Sequence, residues 1–225
     1  MNSPLSVTEA VQNRKSIRAF LDKPVEDQLI RDVLSKASRA PSGGNVQPWR
    51  IYVLNGKSQA HFRTIMDKRL DANDAPDAPE YDIYPPSLKA PYRDTRFKVG
   101  EDMYTLLDIQ REEKPKRLEW LKNNQRFFGA PAALFCYVDR IMGPPQWSDL
   151  GMFLQTAMLL FQEVGIDTCA QESWARWHTT VRDFVKAPDE LMMFCGLAIG
   201  YKDPDQPVNT LVSDRVPLEE FATFL

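Results

Sequence analysis

The stretch PSGGNVQPWRIYVLNG, residues 41–56, joins two kinds of backbone. Its first half is rich in proline, glycine and asparagine, which is typical of a turn-rich loop. Its second half, from Arg50, has the β-branched and aromatic residues that predict a strand. An amphipathic helix predicted over residues 26–40 stops before Pro41, because proline disfavours helical backbone at the residue before it. The unit is therefore helix, loop and strand.

The remaining elements extend this pattern outward in mixed order. Ser6 and Glu9 have the spacing of a capping box, which opens a short helix to about Asn13. No regular strand–helix–strand units occur, so we predict one α+β domain over residues 1–225, with helices packed on a central mixed sheet. Further helices are predicted at residues 59–70, 151–164 and 179–187, and further strands at 130–138 and 191–201, with a short one from Asp167.

The region from residue 71 to about 122 differs in character from the rest. Its first part, residues 71–94, contains five prolines among many aspartates and tyrosines. Prolines at this density exclude a continuous helix or a central strand, and polar helical sequence follows to about Asn124. Long loops in compact domains tend to be lids or binding loops, so we predict a lid-like insertion here.

The bulk composition excludes several classes of protein. Hydrophobic residues make up 43% and charged residues 26% of the chain, and the net charge is −3, which argues against nucleic-acid binding. No apolar run is long enough to span a membrane and no signal peptide is present, so a cytoplasmic protein is expected. Cys136, Cys169 and Cys195 lie among apolar neighbours and predict buried, reduced thiols. Only His61 and His178 are available as imidazole ligands, so no metal site is expected.

The segment RKSIRAF, residues 14–20, concentrates cations around a hydroxyl. In an extended backbone Arg14, Ser16 and Arg18 face the same way, and guanidinium groups match phosphate oxygens. A solvated basic turn is the alternative for this segment taken alone. The chain has neither a P-loop nor a Rossmann glycine fingerprint, so any anion site here uses a different framework.

Three motifs taken in order resemble the FMN-dependent nitroreductase family. They are RKSIRAF, then APSGGNVQPWR at residues 40–50, then SDRVPLEEF at residues 213–221. The segment GIDTCAQESW at residues 165–174 and the helix at residues 151–164 also stand where that family has them. The resemblance covers nearly the whole chain.

The resemblance implies an intertwined homodimer with FMN at the subunit interface. One loop would reach the flavin from the partner subunit, and one turn would lie beside the reactive N5 edge of the ring. Ser213 departs from the family pattern, since many relatives have lysine or arginine there. The residues implied to bind the cofactor are Arg14, Lys15, Ser16, Arg18 and Arg215 at the phosphate and ribityl chain, Pro41, Ser42, Gly43, Asn45 and Gln47 in the loop, and Ala170, Gln171, Glu172 and Ser173 in the turn.

The activity implied by the resemblance is two-electron reduction of nitroaromatic compounds such as nitrobenzoate or nitrobenzene. NADH or NADPH would reduce the flavin and leave, and the substrate would then take a hydride from N5, a ping-pong scheme in which no side chain need be catalytic. Tyr92, Arg93 and Arg96 are candidates for binding a small aromatic substrate. Other reductases of the family, acting on enones, quinones, halogenated aromatics or free flavins, and a non-catalytic FMN-binding module remain open alternatives.

Two aromatic positions and one histidine have competing interpretations. His178 is the only candidate base for a hydrolase, but no nucleophile in a sharp turn accompanies it, so a packing role is favoured. Trp174 and Trp177 are interpreted as core or interface residues more readily than as substrate clamps.

Overall fold

The computed structural model describes residues 5–225, and in that part of the chain eight α-helices surround four β-strands. The helices are α1 (Val7–Asn13), α2 (Asp27–Ala37), α3 (Lys57–Asp71), α4 (Tyr92–Leu106), α5 (Lys114–Leu121), α6 (Pro144–Glu163), α7 (His178–Val185) and α8 (Leu218–Phe221). The strands are β1 (Arg50–Asn55), β2 (Ala132–Asp139), β3 (Asp167–Gln171) and β4 (Leu191–Gly200). Short 3₁₀ helices occupy Gly43–Asn45, Lys122–Gly129, Glu172–Trp177 and Pro207–Thr210.

The four strands form one sheet in the order β1-β2-β4-β3. The predicted α+β fold is confirmed, but the sheet differs from the predicted mixed one because all three strand pairs are antiparallel. Among the described residues, parallel pairing is confined to the single bridge between Ser16 and Thr168. The segment at Ser16 forms only this one bridge to β3, so it is too short to add a fifth, parallel strand.

Two hydrophobic clusters fill the space on either side of the sheet. The central strands β2 and β4 are buried along almost their whole length, as their unbroken apolar sequences require. Helices α2 and α6 cover one face, and α6 also packs against α1. Helix α3 and the aromatic residues around Trp174 cover the other face.

The predicted helix boundaries differ most from the structure at three places. The capping box of α1 is confirmed, since Glu9 N–H donates to Ser6 Oγ over 3.2 Å and Ser6 N–H donates to the Glu9 carboxylate over 2.7 Å. Helix α2 ends at Ala37, earlier than the predicted residue 40. Helix α6 starts at Pro144, before the predicted residue 151, because proline is well suited to the first turn of a helix. Helix α4 starts at Tyr92, inside the stretch predicted as loop.

The cysteine prediction is confirmed, because all three thiols are free and buried.

Helices α4 and α5 pack together through Arg117, whose Nη2 donates to the Glu101 carboxylate over 3.0 Å while its guanidinium lies over the Tyr104 ring. None of the helices within residues 5–225 has the length and apolar character needed to cross a membrane.

Candidate functional site

The basic segment at residues 14–18 lies along the edge strand β3. Ile17 N–H donates to the carbonyl of Thr168 over 3.0 Å, and Ile17 is only 1% exposed. Arg14 and Arg18, on either side of it, stay half-buried. The alternation expected of an extended segment is therefore present, with the apolar side chain in the core and the cations outside it.

Cys169 directly follows Thr168, which bridges to Ser16, so it lies beside the basic segment. Burial raises the pKa of Cys169, and the charges of Arg18 and Arg14 together with a hydrogen bond to Ser16 oppose that rise. Burial lowers the pKa of Arg14, and the positive charge of Arg215 lowers it further. Residues from opposite ends of the chain thus form one cationic cluster, which we define as Arg14, Ser16, Arg18 and Arg215.

The cationic cluster lacks acidic partners. Within residues 5–225, none of its three arginines has a carboxylate within ion-pair distance. Arg18 Nη1 donates to the carbonyl of Ser16 over 3.2 Å, and Arg215 Nη1 donates to the carbonyl of Ser213 over 3.0 Å. Neutral acceptors leave the positive charges uncompensated, so the cluster suits a ligand with a doubly charged phosphate.

Asn209 holds the cluster in place, and sequence reasoning missed it. Its side-chain carbonyl accepts the Arg18 N–H over 2.8 Å, and its amide donates to the carbonyls of Ala19 over 2.8 Å and Asp203 over 2.9 Å. Asn209 is 8% exposed, so these three bonds satisfy a buried amide. No local motif around VNT indicated this role, because the partners lie at the other end of the sequence.

The predicted loop at residues 41–47 has an unusual backbone. Gly44, Asn45 and Gln47 have φ values of +57°, +58° and +50°, in the left-handed region that side chains disfavour. The loop stabilises itself, since Gln47 N–H donates to Ser42 Oγ over 3.0 Å. Of the predicted loop residues, Pro41, Gly43, Asn45 and Gln47 are exposed and Ser42 is half-buried. A strained, exposed loop of this kind is typical of a ligand-contacting segment.

Helix α6 anchors this loop through a buried acid. Asp149 is 3% exposed, and both of its carboxylate oxygens lie 3.3 Å from the Gly43 nitrogen. The signal for this residue was present in the sequence, because Asp149 is an acidic residue at the start of the otherwise apolar stretch 150–161.

The predicted turn after β3 divides into inward and outward residues. Gln171 is buried, and its amide donates to the carbonyl of Asn124 over 2.7 Å, so its side chain is structural. Ser173 Oγ accepts a bond from Gln125 Nε2 over 2.7 Å, and Gln125 is a second residue that the sequence did not indicate. Ala170 and Glu172 are exposed, and partial desolvation of the Glu172 carboxylate by neighbouring groups raises its pKa.

A strap formed by residues 77–81 ties the insertion to this turn. Asp77 N–H donates to the carbonyl of Arg176 over 2.8 Å, and the Asp77 carboxylate accepts the Thr179 N–H over 3.0 Å. Tyr81 donates its hydroxyl to the carbonyl of Phe194, which a bulge in β4 leaves unpaired with β2. The first part of the predicted lid is therefore fixed to the sheet.

The candidate substrate residues lie at the start of α4. Arg93 pairs with Asp94 over 2.8 Å, and Arg96 stacks 4.0 Å above the Tyr84 ring. Tyr92 is 66% exposed. Within residues 5–225, these contacts do not connect the candidate substrate residues to the cationic cluster of the same chain.

The structure supports the packing interpretation of the two tryptophans and the histidine. Trp174 is 0% exposed among aromatic rings, and Trp177 is buried beneath the guanidinium of Arg69 at 4.9 Å. His178 Nε2 lies 3.1 Å from the carbonyl of Ala78, and its Nδ1 lies 3.6 Å from the Glu80 carboxylate. These contacts fix His178 against the strap.

Comparison with known proteins agrees with this geometry. The family model described as Nitroreductase family matches residues 11–201, which includes the segment at Arg14 and the turn at Glu172. The chain belongs to the nitroreductase family. The C-terminal segment that carries Arg215 lies beyond the matched residues.

Individual relatives match along nearly the whole chain. The nitrobenzene nitroreductase of Ectopseudomonas oleovorans is 34% identical over 220 residues, covering 97% of this chain and 96% of that protein. The 4-nitrobenzoate reductase of Pseudomonas putida is 34% identical over 215 residues, covering 96% of this chain and 93% of that protein. The solved structure of the FMN and NADPH-dependent nitroreductase NfnB from Sphigopyxis sp. strain HMH has a TM-score of 0.93 and 43% identity, covering 98% of this chain and 99% of that one.

Proposed function

We propose that this member of the nitroreductase family binds FMN and uses NADH or NADPH to reduce nitroaromatic compounds. The observation that carries the proposal is the cationic cluster, whose three arginines converge without any carboxylate partner in the described chain. The names of the relatives, which include FMN and NADPH-dependent and nitrobenzene-reducing enzymes, support the choice of cofactor and substrate class.

The residues present fit a flavin mononucleotide. The cationic cluster would hold the phosphate, with Lys15 beside it, and the outward side of the Ala170–Ser173 turn would support the ring. When bound, FMN supplies two-electron transfer from the nicotinamide to the nitro group, which no side chain of this protein can perform. The protein contributes binding and orientation, and we assign no side chain as catalytic, since water can deliver protons to an exposed edge.

The phosphate contact is tested by comparing FMN with riboflavin, which lacks the phosphate. A charge-assisted hydrogen bond contributes about 1.5–3 kcal/mol, so Arg18→Ala should weaken FMN about tenfold to a hundredfold and leave the weaker riboflavin binding unchanged. Arg182→Ala is the matched control, because Arg182 pairs with Asp189 at the surface over 3.4 Å. Equal losses for both flavins would place Arg18 away from the phosphate.

Turnover is tested by adding NADH or NADPH to the flavin-loaded protein without oxygen. Loss of the yellow flavin absorbance, followed by its return on adding a nitroarene, is the expected result. The proposed ping-pong order further requires parallel lines in double-reciprocal plots at several donor concentrations. A flavin that neither donor bleaches would favour the non-catalytic FMN-binding module.

We further propose that the working unit is a homodimer. Several large apolar residues are exposed on the single chain, among them Val11 on α1 at 51% and Met152 on the adjoining α6 at 38%. The C-terminal segment also exposes Phe221 at 68% and Phe224 at 84%. Exposed apolar residues on adjoining elements are typical of interaction surfaces. The strained loop at residues 41–47 would then contact the flavin of the partner.

The homodimer is tested by sedimentation of Met152→Glu, which should dissociate the dimer and release FMN. Ile141→Glu is the control, since Ile141 is 85% exposed on the loop after β2. A wild-type chain that sediments as a monomer with bound FMN would contradict the proposal.

The substrate proposal concerns Tyr92, Arg93 and Arg96, whose exposure leaves them free to face a neighbouring subunit. Tyr92 offers a ring for stacking on the nitroarene. If one of the arginines binds a ring carboxylate, nitrobenzoate should exceed nitrobenzene about tenfold to a hundredfold in kcat/KM, and Arg93→Ala or Arg96→Ala should remove the difference. Equal rates for both compounds in the wild type would leave these arginines at the surface. Activity on enones, quinones or halophenols above that on nitroarenes would favour the other reductases of the family.

A further inference from the structure

Lys98 of α4 binds the acid that directly precedes Arg215. Its ammonium group lies 2.9 Å from the Asp214 carboxylate and 2.7 Å from the Asp102 carboxylate. The first of these bonds joins α4 to the C-terminal segment, because Asp214 and Lys98 belong to separate elements. Helix α4 also contacts the 3₁₀ helix Pro207–Thr210, which includes Asn209. The C-terminal segment and the 3₁₀ helix Pro207–Thr210 thus both connect the helix of Lys98 to parts of the chain that adjoin the cationic cluster.

The position of Asp214 matters for a phosphate site. A free carboxylate next to Arg215 would compete with a phosphate for the guanidinium and would repel the doubly charged anion. In the structure Arg215 instead uses neutral acceptors, including Ser213 Oγ at 2.7 Å and the carbonyl of Asp214 at 2.8 Å. The Asp214 side chain points to Lys98, which leaves the charge of Arg215 available to a ligand.

We propose that Lys98 is a positioning residue for the phosphate site, which acts by holding the Asp214 carboxylate away from Arg215. This inference rests on the proposed function, since it takes Arg215 as a phosphate ligand. Lys98 need not touch the cofactor. Its effect requires Asp214, and that dependence distinguishes the proposal from a general contribution of positive charge or of helix docking.

The test is a cycle of variants measured by quenching of flavin fluorescence. Lys98→Met should weaken FMN about three- to tenfold, since the pair is exposed and screened by solvent. Asp214→Asn should bind FMN as well as the wild type or better, and Lys98→Met with Asp214→Asn should restore affinity to within about twofold of Asp214→Asn. Lys98→Arg should retain affinity, and riboflavin binding should stay constant throughout. Lys116→Met is the matched control, because Lys116 also pairs with an acid on an exposed helix, Glu113.

Two outcomes overturn the role of Lys98. Failure of the double variant to recover would show that Lys98 acts independently of Asp214. Equal loss of FMN and riboflavin would show that Lys98 only docks α4. Arg215→Ala separates the inference from the proposed function: loss of FMN in Arg215→Ala with no loss in Lys98→Met overturns the inference alone. No loss in Arg215→Ala removes Arg215 from the phosphate site and overturns the role of Lys98, whereas no loss of FMN in Arg18→Ala overturns the proposed phosphate contact.

Discussion

Replacing Gly196 with alanine tests how the core supports the candidate site. Gly196 lies within β4, where it pairs with Phe135 of β2 and with Gln171 of β3. A Cβ atom at this position would lie 2.4 Å from Cδ1 of Trp174 and 3.0 Å from its Nε1. Carbon atoms in contact prefer a separation of about 3.5–4.0 Å, so one of the two groups has to move.

The tryptophan ring has little room to move. Its centroid lies 4.5 Å from that of Phe127, 5.2 Å from that of Phe135 and 5.5 Å from that of Phe62. Overpacking a closed core costs about 1–3 kcal/mol, and alanine recovers about 0.5–1 kcal/mol of backbone entropy relative to glycine. We therefore expect Gly196→Ala to lower the free energy of unfolding by about 1 kcal/mol.

Urea unfolding followed by tryptophan fluorescence, at one fixed protein concentration, measures this change. Gly100→Ala on α4 is the matched control, because a Cβ atom there meets nothing within 4 Å and alanine should stabilise the helix by up to about 1 kcal/mol. In a Trp174→Phe background the cost of Gly196→Ala should fall, since the smaller ring leaves space. An unchanged unfolding midpoint in Gly196→Ala would refute the close packing of this ring. FMN affinity should fall together with stability, because Trp174 directly follows the turn that ends at Ser173.

Three further predictions concern the cap of α1, the turn after β3 and the contacts of Asn209. Ser6→Ala removes the bond to Glu9 N–H and should lower the free energy of unfolding by about 1 kcal/mol, measured by thermal unfolding. Glu172→Gln should stabilise the chain at neutral pH, because the raised pKa of Glu172 means that its ionisation destabilises the folded state. This gain should vanish as the pH falls through the raised pKa to the ordinary value of 4.5. A gain in stability that persists below pH 4.5 would contradict the assignment. Asn209→Ala leaves the Arg18 N–H and the carbonyl of Asp203 without their side-chain partner, so it should cost about 1–3 kcal/mol of stability and weaken FMN more than riboflavin; a loss of stability without this selectivity would limit Asn209 to a structural role.

The elements that local sequence dictates were the ones that could be predicted. The capping box at Ser6 and the apolar strands β2 and β4 follow from short-range rules, and all three are confirmed. The start of α4 was not predicted, because its first turn follows a run of prolines that favours loop. The strand order could not be predicted from the sequence either, since pairing of β4 with both β2 and β3 depends on contacts between distant parts of the chain.

The candidate site divides in the same way. Arg14, Ser16 and Arg18 could be grouped because side chains alternate along an extended segment, and the bridge between Ser16 and Thr168 shows that this segment lies beside β3. Asn209 could not be found by motif, since it acts on a backbone group more than 100 residues away, and the sequence marks Asp149 only as an acid before a largely apolar helix. Their roles become visible only when the fold brings the acceptor to the donor.

The features that oppose stability are concentrated where a ligand would relieve them. The cationic cluster holds three positive charges with no acid paired to them in residues 5–225, and the loop at residues 41–47 holds three residues in left-handed backbone. Each is supported by a buried polar residue, Asn209 in one case and Asp149 in the other. A ligand that binds only the folded state adds stability in proportion to the logarithm of its concentration over Kd. A phosphate-bearing ligand bound by the cluster, as proposed above, would therefore offset the repulsion among its arginines.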